Sequence, residues 1–191
     1  FDLSNSGING TLISGPTFNS GNGGSIVFDG VDDYVDLGIS SILENTLNGT
    51  VNWSICYWVK YTQNGRILDI GELGGDPTGA LELNVDSISV NNTTLNSSMT
   101  ASIISTNWNY IVLTKNTSRL HSWYLNGVFS NSDTGTADYT IGSRIWKIGR
   151  RAFNNAVNFG GNLSQMQIYN RVLTATEIQQ NFNALRGRFN I

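Results

Sequence analysis

Short runs of alternating apolar and polar residues recur along the chain, and turn sequences separate them. In the run YIVLTK, residues 110–115, successive side chains would point to opposite faces of a strand. Asn126-Gly127 lies between two such runs and is typical of a type I′ hairpin, because both central residues of that turn need positive φ. Many short strands joined by tight turns predict an antiparallel sandwich or barrel. The predicted strands are Gly24–Phe28, Tyr34–Leu37, Val51–Tyr61, Arg66–Gly71, Ala80–Val85, Ser87–Val90, Ser102–Ile104, Trp108–Lys115, Arg119–Leu125, Val128–Ser130, Trp146–Gly149 and Gly161–Tyr169.

One segment near the end of the sequence has the periodicity of a helix instead. Thr174 and Glu177 have the spacing of a capping box, in which each residue bonds to the backbone of the other. Ile178, Phe182 and Leu185 then recur on one face of a helix. We therefore predict a short C-terminal α-helix that covers an edge of the sandwich.

Composition restricts the classes of function. The 191 residues are 39% hydrophobic, enough for one core, and no repeat or linker divides them, so residues 1–191 are predicted to form a single domain. The net charge is −3 and no long basic cluster occurs, which argues against electrostatic binding to nucleic acid. One cysteine, Cys56, excludes an internal disulfide, and one histidine, His121, excludes zinc sites built from several histidines of one chain. No apolar stretch approaches the ~20 residues that span a bilayer.

Three aspartates lie close together near the N-terminus, in the segment SIVFDGVDDYVDLG. Asp29, Asp32 and Asp33 separate two predicted strands. Asp favours turns because its side chain accepts hydrogen bonds from nearby backbone amides, so these residues are expected in a hairpin turn. Calcium prefers six to eight oxygen ligands, and three carboxylates in a turn could supply part of that shell. The residues therefore support two interpretations, a structural turn and a Ca²⁺ site completed by other loops.

Motifs along nearly the whole chain together resemble one known family. They are FDG and DYV (within residues 28–35), WSICYWV (53–59), WNYIVLT (108–114), WYLNGV (123–128), IGR (148–150), FGG (159–161) and MQIYNRVLTATE (166–177). In order and spacing they resemble the laminin-G-like, concanavalin A-like jelly-roll domain. The resemblance implies an all-β, two-sheet antiparallel jelly-roll sandwich. It also implies a binding or adhesion module, often for carbohydrate and sometimes with calcium.

Two segments near the ends of the chain resemble a viral subset of that family. DLSNSGINGTL (residues 2–12) and EIQQNFNALRGR (177–188) are similar to segments of such domains in bacteriophage structural proteins. The resemblance implies a module at a virion surface or in an extracellular location, with a cell-surface or extracellular glycan and other virion proteins as partners. A homo-oligomer within a larger assembly is expected in the same setting. The abrupt start at Phe1, where such domains have further sequence before this segment, indicates a fragment of a longer chain. A decoration or assembly domain without a glycan ligand is the alternative.

A degenerate glycosidase is the third class that the family admits. Glucanases of similar fold carry a Glu-x-Asp-x-x-Glu strand, and in residues 67–72 of this chain Asp69 and Glu72 have the right offset. Ile67 stands where the first glutamate would be, and retaining chemistry needs two carboxyl groups about 5 Å apart. Serine-triad chemistry would have to use His121, and no Gly-x-Ser-x-Gly elbow accompanies it. Cys56 has no basic partner nearby in the sequence to activate it. We therefore predict a protein that is not an enzyme.

Carbohydrate binding requires an exposed aromatic ring among amides and charged groups. Most tryptophans lie inside strand motifs, whereas Trp146 starts a predicted strand and is expected to be exposed. The loop after that strand is rich in polar and aromatic residues. The predicted ligand-binding residues are Trp146, Arg150, Arg151, Phe153, Asn154 and Asn155. A variable loop without a ligand explains the same residues.

Overall fold

The computed structural model describes residues 4, 6–70, 81–90, 95–99, 103, 106–152 and 156–191. In this part of the chain two seven-stranded antiparallel sheets form a sandwich, so the predicted jelly-roll architecture is confirmed. The strands are β1 (Thr11–Ile13), β2 (Thr17–Asn19), β3 (Ser25–Asp29), β4 (Tyr34–Ile39), β5 (Trp53–Gln63), β6 (Arg66–Ile70), β7 (Leu81–Asn84), β8 (Ser87–Val90), β9 (Leu95–Ser98), β10 (Asn109–Lys115), β11 (Leu120–Leu125), β12 (Val128–Thr134), β13 (Ile145–Ile148) and β14 (Gly160–Tyr169). The α-helices are α1 (Ser41–Thr46) and α2 (Ala175–Leu185), and 3₁₀ turns cover Gly21–Gly23 and Arg186–Phe189.

The main core lies between the two sheets. The first sheet has the strand order β1-β4-β13-β6-β7-β8-β9, and the second has the order β12-β11-β10-β5-β14-β3-β2. Their inward faces bury Trp53, Trp123, Trp146 and Phe159 completely. Because side chains alternate along a strand, Trp53 of β5 faces this core whereas Trp58 of the same strand faces the other side of the sheet.

A second, smaller core lies on the outer face of the second sheet, under α2. Trp58 stacks on Phe189 with 4.1 Å between ring centroids, and its ring centroid lies 5.9 Å from that of Phe182. The predicted capping box is confirmed, because the Thr174 side chain accepts from the Glu177 amide and the Glu177 carboxylate accepts from the Thr174 amide. The helix thus covers the face of the central strands β5 and β10 rather than an edge of the sandwich.

Of two hairpins that the sequence predicts, one is confirmed and one is wrong. Asn126 and Gly127 have φ of 51° and 81° and join β11 to β12, which pair antiparallel with Leu125 opposite Val128. The segment Asp29–Asp33 joins β3 to β4, but β3 belongs to the second sheet and β4 to the first. The aspartates therefore form a crossover between sheets. Local turn chemistry is the same in both cases and does not reveal where the next strand pairs.

The sequence pattern does not predict β1, β2, β9 and α1. β1 and β2 are three residues long and largely exposed, too short for alternation to be recognised. α1 begins after Ser40, whose side chain accepts a hydrogen bond from the Leu43 amide. The strand predicted over Ser102–Ile104 lies outside the described residues apart from Ile103. No helix in the described part of the chain is long and apolar enough to cross a bilayer.

Candidate ligand-binding site

A row of polar residues crosses the outer face of the first sheet. Each member lies directly opposite the next on the neighbouring strand: Asp36 pairs with Lys147, Lys147 with Asp69, Asp69 with Glu82, and Glu82 with Ser89. Residues paired in this way project to the same side of a sheet, while neighbouring positions on these strands belong to the main core. The outer face is therefore polar across five strands.

Arg66 holds the two central carboxylates of this row. Its Nε lies 3.1 Å from Asp69 Oδ2, its Nη2 lies 2.6 Å from Glu82 Oε2, and its Nη1 donates to Asn84 Oδ1 at 2.6 Å. The Ser89 hydroxyl also donates to Glu82 Oε2 at 2.9 Å. The two acidic residues and the arginine are buried, and buried charges persist only when they are paired and hydrogen-bonded. Each of the three side chains has an ion-pair partner and at least one hydrogen bond, whereas Arg66 Nε and Asp69 Oδ2 are in ion-pair contact without a hydrogen bond.

The segment after β13 packs on the same cluster. The Ala152 amide donates to Asp69 Oδ1 at 2.8 Å, and Arg151 Nη2 lies 3.3 Å from Glu82 Oε1. Burial raises the pKa of Asp69 to about 7, although the Ala152 amide and Arg66 act in the opposite direction. Arg151, one of the predicted ligand-binding residues, is therefore committed to a buried ion cluster, with only part of its side chain accessible.

Beside the buried cluster, an accessible patch forms around Tyr34 at the start of β4. Lys147 Nζ lies 4.5 Å from the centre of the Tyr34 ring and the Arg150 guanidinium carbon lies 5.6 Å from it, both within cation–π range. Arg150 Nη1 also donates to the main-chain oxygen of Asp32 at 3.3 Å. Asp29 and Asp32 are exposed, whereas Tyr34 and Arg150 are half-buried. We call Asp29, Asp32, Tyr34 and Arg150 the Tyr34 patch.

The three aspartates meet, and two of them build the turn itself. Asp29 Oδ1 accepts from the Val31 and Asp32 amides at 2.7 and 3.3 Å, and Asp33 Oδ2 accepts from the Asp29 amide at 2.9 Å. The Val31 amide lowers the pKa of Asp29, whereas burial raises the pKa of Asp33. One carboxylate oxygen of each aspartate lies within 4.8 Å of the other two. These hydrogen bonds explain the turn without a metal ion. The spacing of the carboxylate oxygens is also compatible with a bound Ca²⁺ ion.

The expected exposure of Trp146 is wrong. Its side chain is fully buried in the main core, because alternation along β13 turns Trp146 inwards and Lys147 outwards. Phe159, at the end of the following loop, is also fully buried. Phe153, Asn154 and Asn155 lie outside the described residues. Among the predicted ligand-binding residues, the described structure therefore places Arg150 and Arg151 at the outer face of the first sheet.

Tyr34 and Arg66 are functional candidates that sequence reasoning missed. The sequence does contain a signal for Tyr34. Side chains alternate along β4, so Tyr34 and Asp36 project from one face of the sheet, and Val35 projects from the other face into the core. Arg66 carries no comparable signal. Its partner Glu82 is on another strand, and only the register between β6 and β7 brings the two side chains together.

Comparison with known proteins agrees with this architecture. The sequence profile of the concanavalin A-like lectin/glucanases superfamily, of laminin-G type, matches residues 29–179. The chain belongs to this superfamily. The family resemblance seen in the sequence motifs is thereby confirmed, whereas the resemblance to the bacteriophage subset stays a prediction. No curated protein sequence matches the chain.

Solved structures of similar fold include domains that were determined with oligosaccharides. The CBM40 of Ruminococcus gnavus IT-sialidase bound to α2,3-sialyllactose has 17% identity and a TM-score of 0.69, and the match covers 83% of this chain and 96% of that one. Domain 4 of AbnA, a GH43 extracellular arabinanase from Geobacillus stearothermophilus in complex with arabinotriose, has 18% identity and a TM-score of 0.65, covering 90% and 81%. The binding domain of Paraclostridial Mosquitocidal Protein 1 has 16% identity and a TM-score of 0.71, covering 96% and 49%. At these identities the likeness shows the fold that the chains share.

Proposed function

We propose that this chain is a non-catalytic carbohydrate-recognition module whose ligand surface is the Tyr34 patch. The observation that carries the proposal is the meeting of an aromatic ring, a guanidinium and two exposed carboxylates beside the polar face of the first sheet. Sugars present apolar C–H faces and hydroxyl edges, so a ring among fixed donors and acceptors suits them. The sialyllactose and arabinotriose bound by two domains of similar fold support this class of ligand.

The buried carboxylates support binding rather than hydrolysis. Asp69 and Glu82 are adjacent acids on the polar face, but both are buried and ion-paired with Arg66. A glycosidase needs one carboxyl group that can protonate the leaving oxygen and a second that reaches the sugar or its water. Ile67 occupies the position of the first glutamate of the glucanase motif, and Glu72 lies outside the described residues. The proposed role is therefore lectin-like and does not include catalysis.

The proposed setting is a virion surface or another extracellular location, with a cell-surface or extracellular glycan as the ligand. Similarity of the terminal segments to bacteriophage structural proteins supports it. A second candidate function is a decoration or assembly domain that contacts other virion proteins or copies of itself. The exposed apolar side chains of Phe18 on β2 and of Val128 and Phe129 on β12 favour it, because these are the edge strands of the second sheet.

A glycan array with the purified domain separates the two functions. We expect the wild-type protein to bind a subset of glycans and Tyr34→Ala to weaken that binding by about tenfold or more, the effect of losing one good contact. Phe129→Ala removes an exposed ring from β12, outside the Tyr34 patch, and should bind like the wild type. A folded protein that binds no glycan, or equal binding by both variants, would contradict the proposal.

A calcium ion at the aspartate turn is a proposal of its own. If Asp29, Asp32 and Asp33 bind Ca²⁺ in the folded state, a hundredfold excess over Kd should raise the melting temperature by roughly 5 to 10 °C. EDTA should reverse the rise. Asp32→Asn should abolish it while the hydrogen bonds accepted by Asp29 and Asp33 keep the turn in place. Equal melting temperatures in calcium and in EDTA would leave the aspartates as turn formers.

A further inference from the structure

Three successive main-chain oxygens of the crossover Asp29–Asp33 each accept a hydrogen bond from a different side chain. The three bonds run from Gln63 Nε2 to the Gly30 oxygen at 3.1 Å, from Asn158 Nδ2 to the Val31 oxygen, and from Arg150 Nη1 to the Asp32 oxygen at 3.3 Å. The donors lie on three segments outside the crossover, namely the end of β5, the residues before β14 and the residues after β13. The crossover is therefore held in place by neighbouring parts of the fold as well as by its own aspartates.

Gln63 bridges two of the segments that meet here. Its Nε2 donates to the Gly30 oxygen and also to the Asn158 main-chain oxygen at 2.9 Å. Gly30 permits this approach, because it has a φ of 82° and a Cβ atom there would lie 3.1 Å from Gln63 Oε1 and 3.4 Å from Gly160 Cα. The side-chain amide at the end of β5 thus links the crossover to the residues that precede β14.

The segment that carries Asn158 is itself attached to the core. On one side of it, the Arg66 amide donates to the Val157 oxygen at 3.3 Å. On the other side, the Phe159 amide donates to the oxygen of Gly149, the residue that follows β13, at 2.8 Å, and the Phe159 ring is fully buried. The position of the Asn158 side chain is therefore set by β6, by β13 and by the main core.

These hydrogen bonds order the crossover more than they stabilise the fold. All three are exposed to solvent, and Val31 at the tip of the crossover is 68% exposed. A main-chain oxygen in such a place can bond to water instead, so each bond contributes little net stability. A crossover without these bonds would sample several conformations and would carry Asp29 and Asp32 with it. Ordering it in advance lowers the conformational entropy that is lost when a ligand binds.

We propose that Gln63 and Asn158 are positioning residues of the Tyr34 patch. They hold the crossover in the conformation in which Asp29 and Asp32 lie beside Tyr34 for glycan binding, and they act through the crossover rather than as members of the patch. The inference rests on the proposed function, because it takes the Tyr34 patch as the ligand surface. A positioning role predicts that their loss lowers the order of the crossover and the affinity for glycan, whereas a role in stability alone predicts that the whole fold is weakened.

The order of the crossover can be measured by ¹⁵N relaxation in the free protein. Gln63→Met keeps the length of the side chain and removes its donor without adding a charge, and Asn158→Ser removes the bond to the Val31 oxygen but keeps the main-chain oxygen that Gln63 binds. In both variants we expect the order parameters of the Val31 and Asp32 amides to fall from about 0.85 to about 0.6 or below. The order parameter of the Ile111 amide, in the main core, should not change.

Affinity is measured on the glycan array, with a dilution series of each protein over the glycans that the wild type binds. Gln63→Met and Asn158→Ser should each raise the half-saturating protein concentration by about threefold to tenfold. The midpoint of denaturant unfolding should change little, because the freed oxygens bond to water. Gln180→Met is the matched control, since Gln180 is an exposed residue of α2 on the outer face of the other sheet. It should leave the order parameters and array binding as in the wild type.

This inference and the proposed function fail in distinguishable ways. If Tyr34→Ala weakens array binding but Gln63→Met and Asn158→Ser bind like the wild type, the proposed function stands and the positioning role is overturned. Unchanged order parameters at Val31 and Asp32 would overturn it as well, and so would an equal loss of order at Ile111, which would indicate a weakened fold. A folded wild-type protein that binds no array glycan would contradict the proposed function, and with it any effect of the two residues on glycan affinity.

Discussion

Replacing Arg66 by methionine is expected to lower the free energy of unfolding by about 3–5 kcal/mol at neutral pH, the effect of removing one partner from a buried ion pair. Methionine keeps an apolar stem but lacks the guanidinium that pairs with Asp69 and Glu82. Arg151 would still lie beside Glu82, and the Ala152 amide would still donate to Asp69. Two carboxylates would nevertheless share a buried site from which their common cation is missing.

The pH dependence of this loss identifies its cause. Burial already holds the pKa of Asp69 at about 7, and removing a cation raises that pKa further. A carboxyl group whose folded pKa is above its unfolded value of about 3.9 binds more protons in the folded state. Its contribution to stability is therefore present at low pH and is lost as the pH rises through the folded pKa. Arg66→Met should be least destabilised near about pH 5 and most destabilised above about pH 7.

Denaturant unfolding of the wild type and of Arg66→Met at about pH 5, 7 and 8.5 measures this difference. Arg171→Met is the matched control, because Arg171 forms an ion pair with Glu177 at 2.8 Å that is open to solvent. Exposed pairs contribute little, so the control should change stability only slightly and without the same pH trend. A destabilisation of Arg66→Met that does not grow with pH would show that the carboxylates are not its cause.

The strands of this fold are largely readable from its sequence, because side-chain alternation is a local property. Ser87–Val90 is predicted with the bounds that the structure has, and Trp108–Lys115 is wrong by one residue at its start. The capping box at Thr174 is equally local and is confirmed. The exposure of Trp146 is predicted wrongly, because a position at the start of a strand does not decide which face of the sheet a side chain occupies. Alternation along β13 decides it, and Trp146 lies on the inward face, in the main core.

The candidate site is less predictable, because it depends on pairings between distant strands. The row from Asp36 to Ser89 exists only through the register of β4, β13, β6, β7 and β8. Asp29 and Arg150 were both selected from sequence for unrelated reasons, as a metal ligand and as a ligand-binding residue. The crossover of Asp29–Asp33 between the sheets brings them into one patch. No local pattern contains that information.

His121 is expected to make the fold sensitive to acid. It is the single histidine of the chain, it is 1% exposed, and its ring centroid lies 5.7 Å from that of Trp53. Burial, helped by the cross-strand neighbour Lys115, lowers the pKa of His121 to about 4, although the Arg119 carbonyl and Asp133 act in the opposite direction. Nδ1 lies 3.0 Å from the Arg119 oxygen and therefore carries the hydrogen, while buried Nε2 finds no hydrogen-bond partner among the described residues.

The sign of the effect follows from the depressed pKa. An unfolded chain protonates histidine at about pH 6.5, whereas the folded protein holds the ring neutral down to about pH 4. Between these values the unfolded state binds more protons, so stability is complete above about pH 6.5 and is lost as the pH falls towards 4. The difference of about 2.5 pKa units corresponds to about 3 kcal/mol.

The stability of His121→Gln relative to the wild type isolates this contribution, because Asp69 titrates in both proteins and acts with the opposite sign in the same pH range. Gln keeps an amide that can donate to the Arg119 oxygen and cannot be protonated. The wild type should lose about 3 kcal/mol relative to the variant between pH 7 and pH 4. Its only imidazole also gives one titrating NMR signal, whose midpoint should lie near about pH 4. A midpoint near about pH 6.5 would mean that the His121 ring is in contact with water. It would contradict the prediction that His121 makes the fold sensitive to acid.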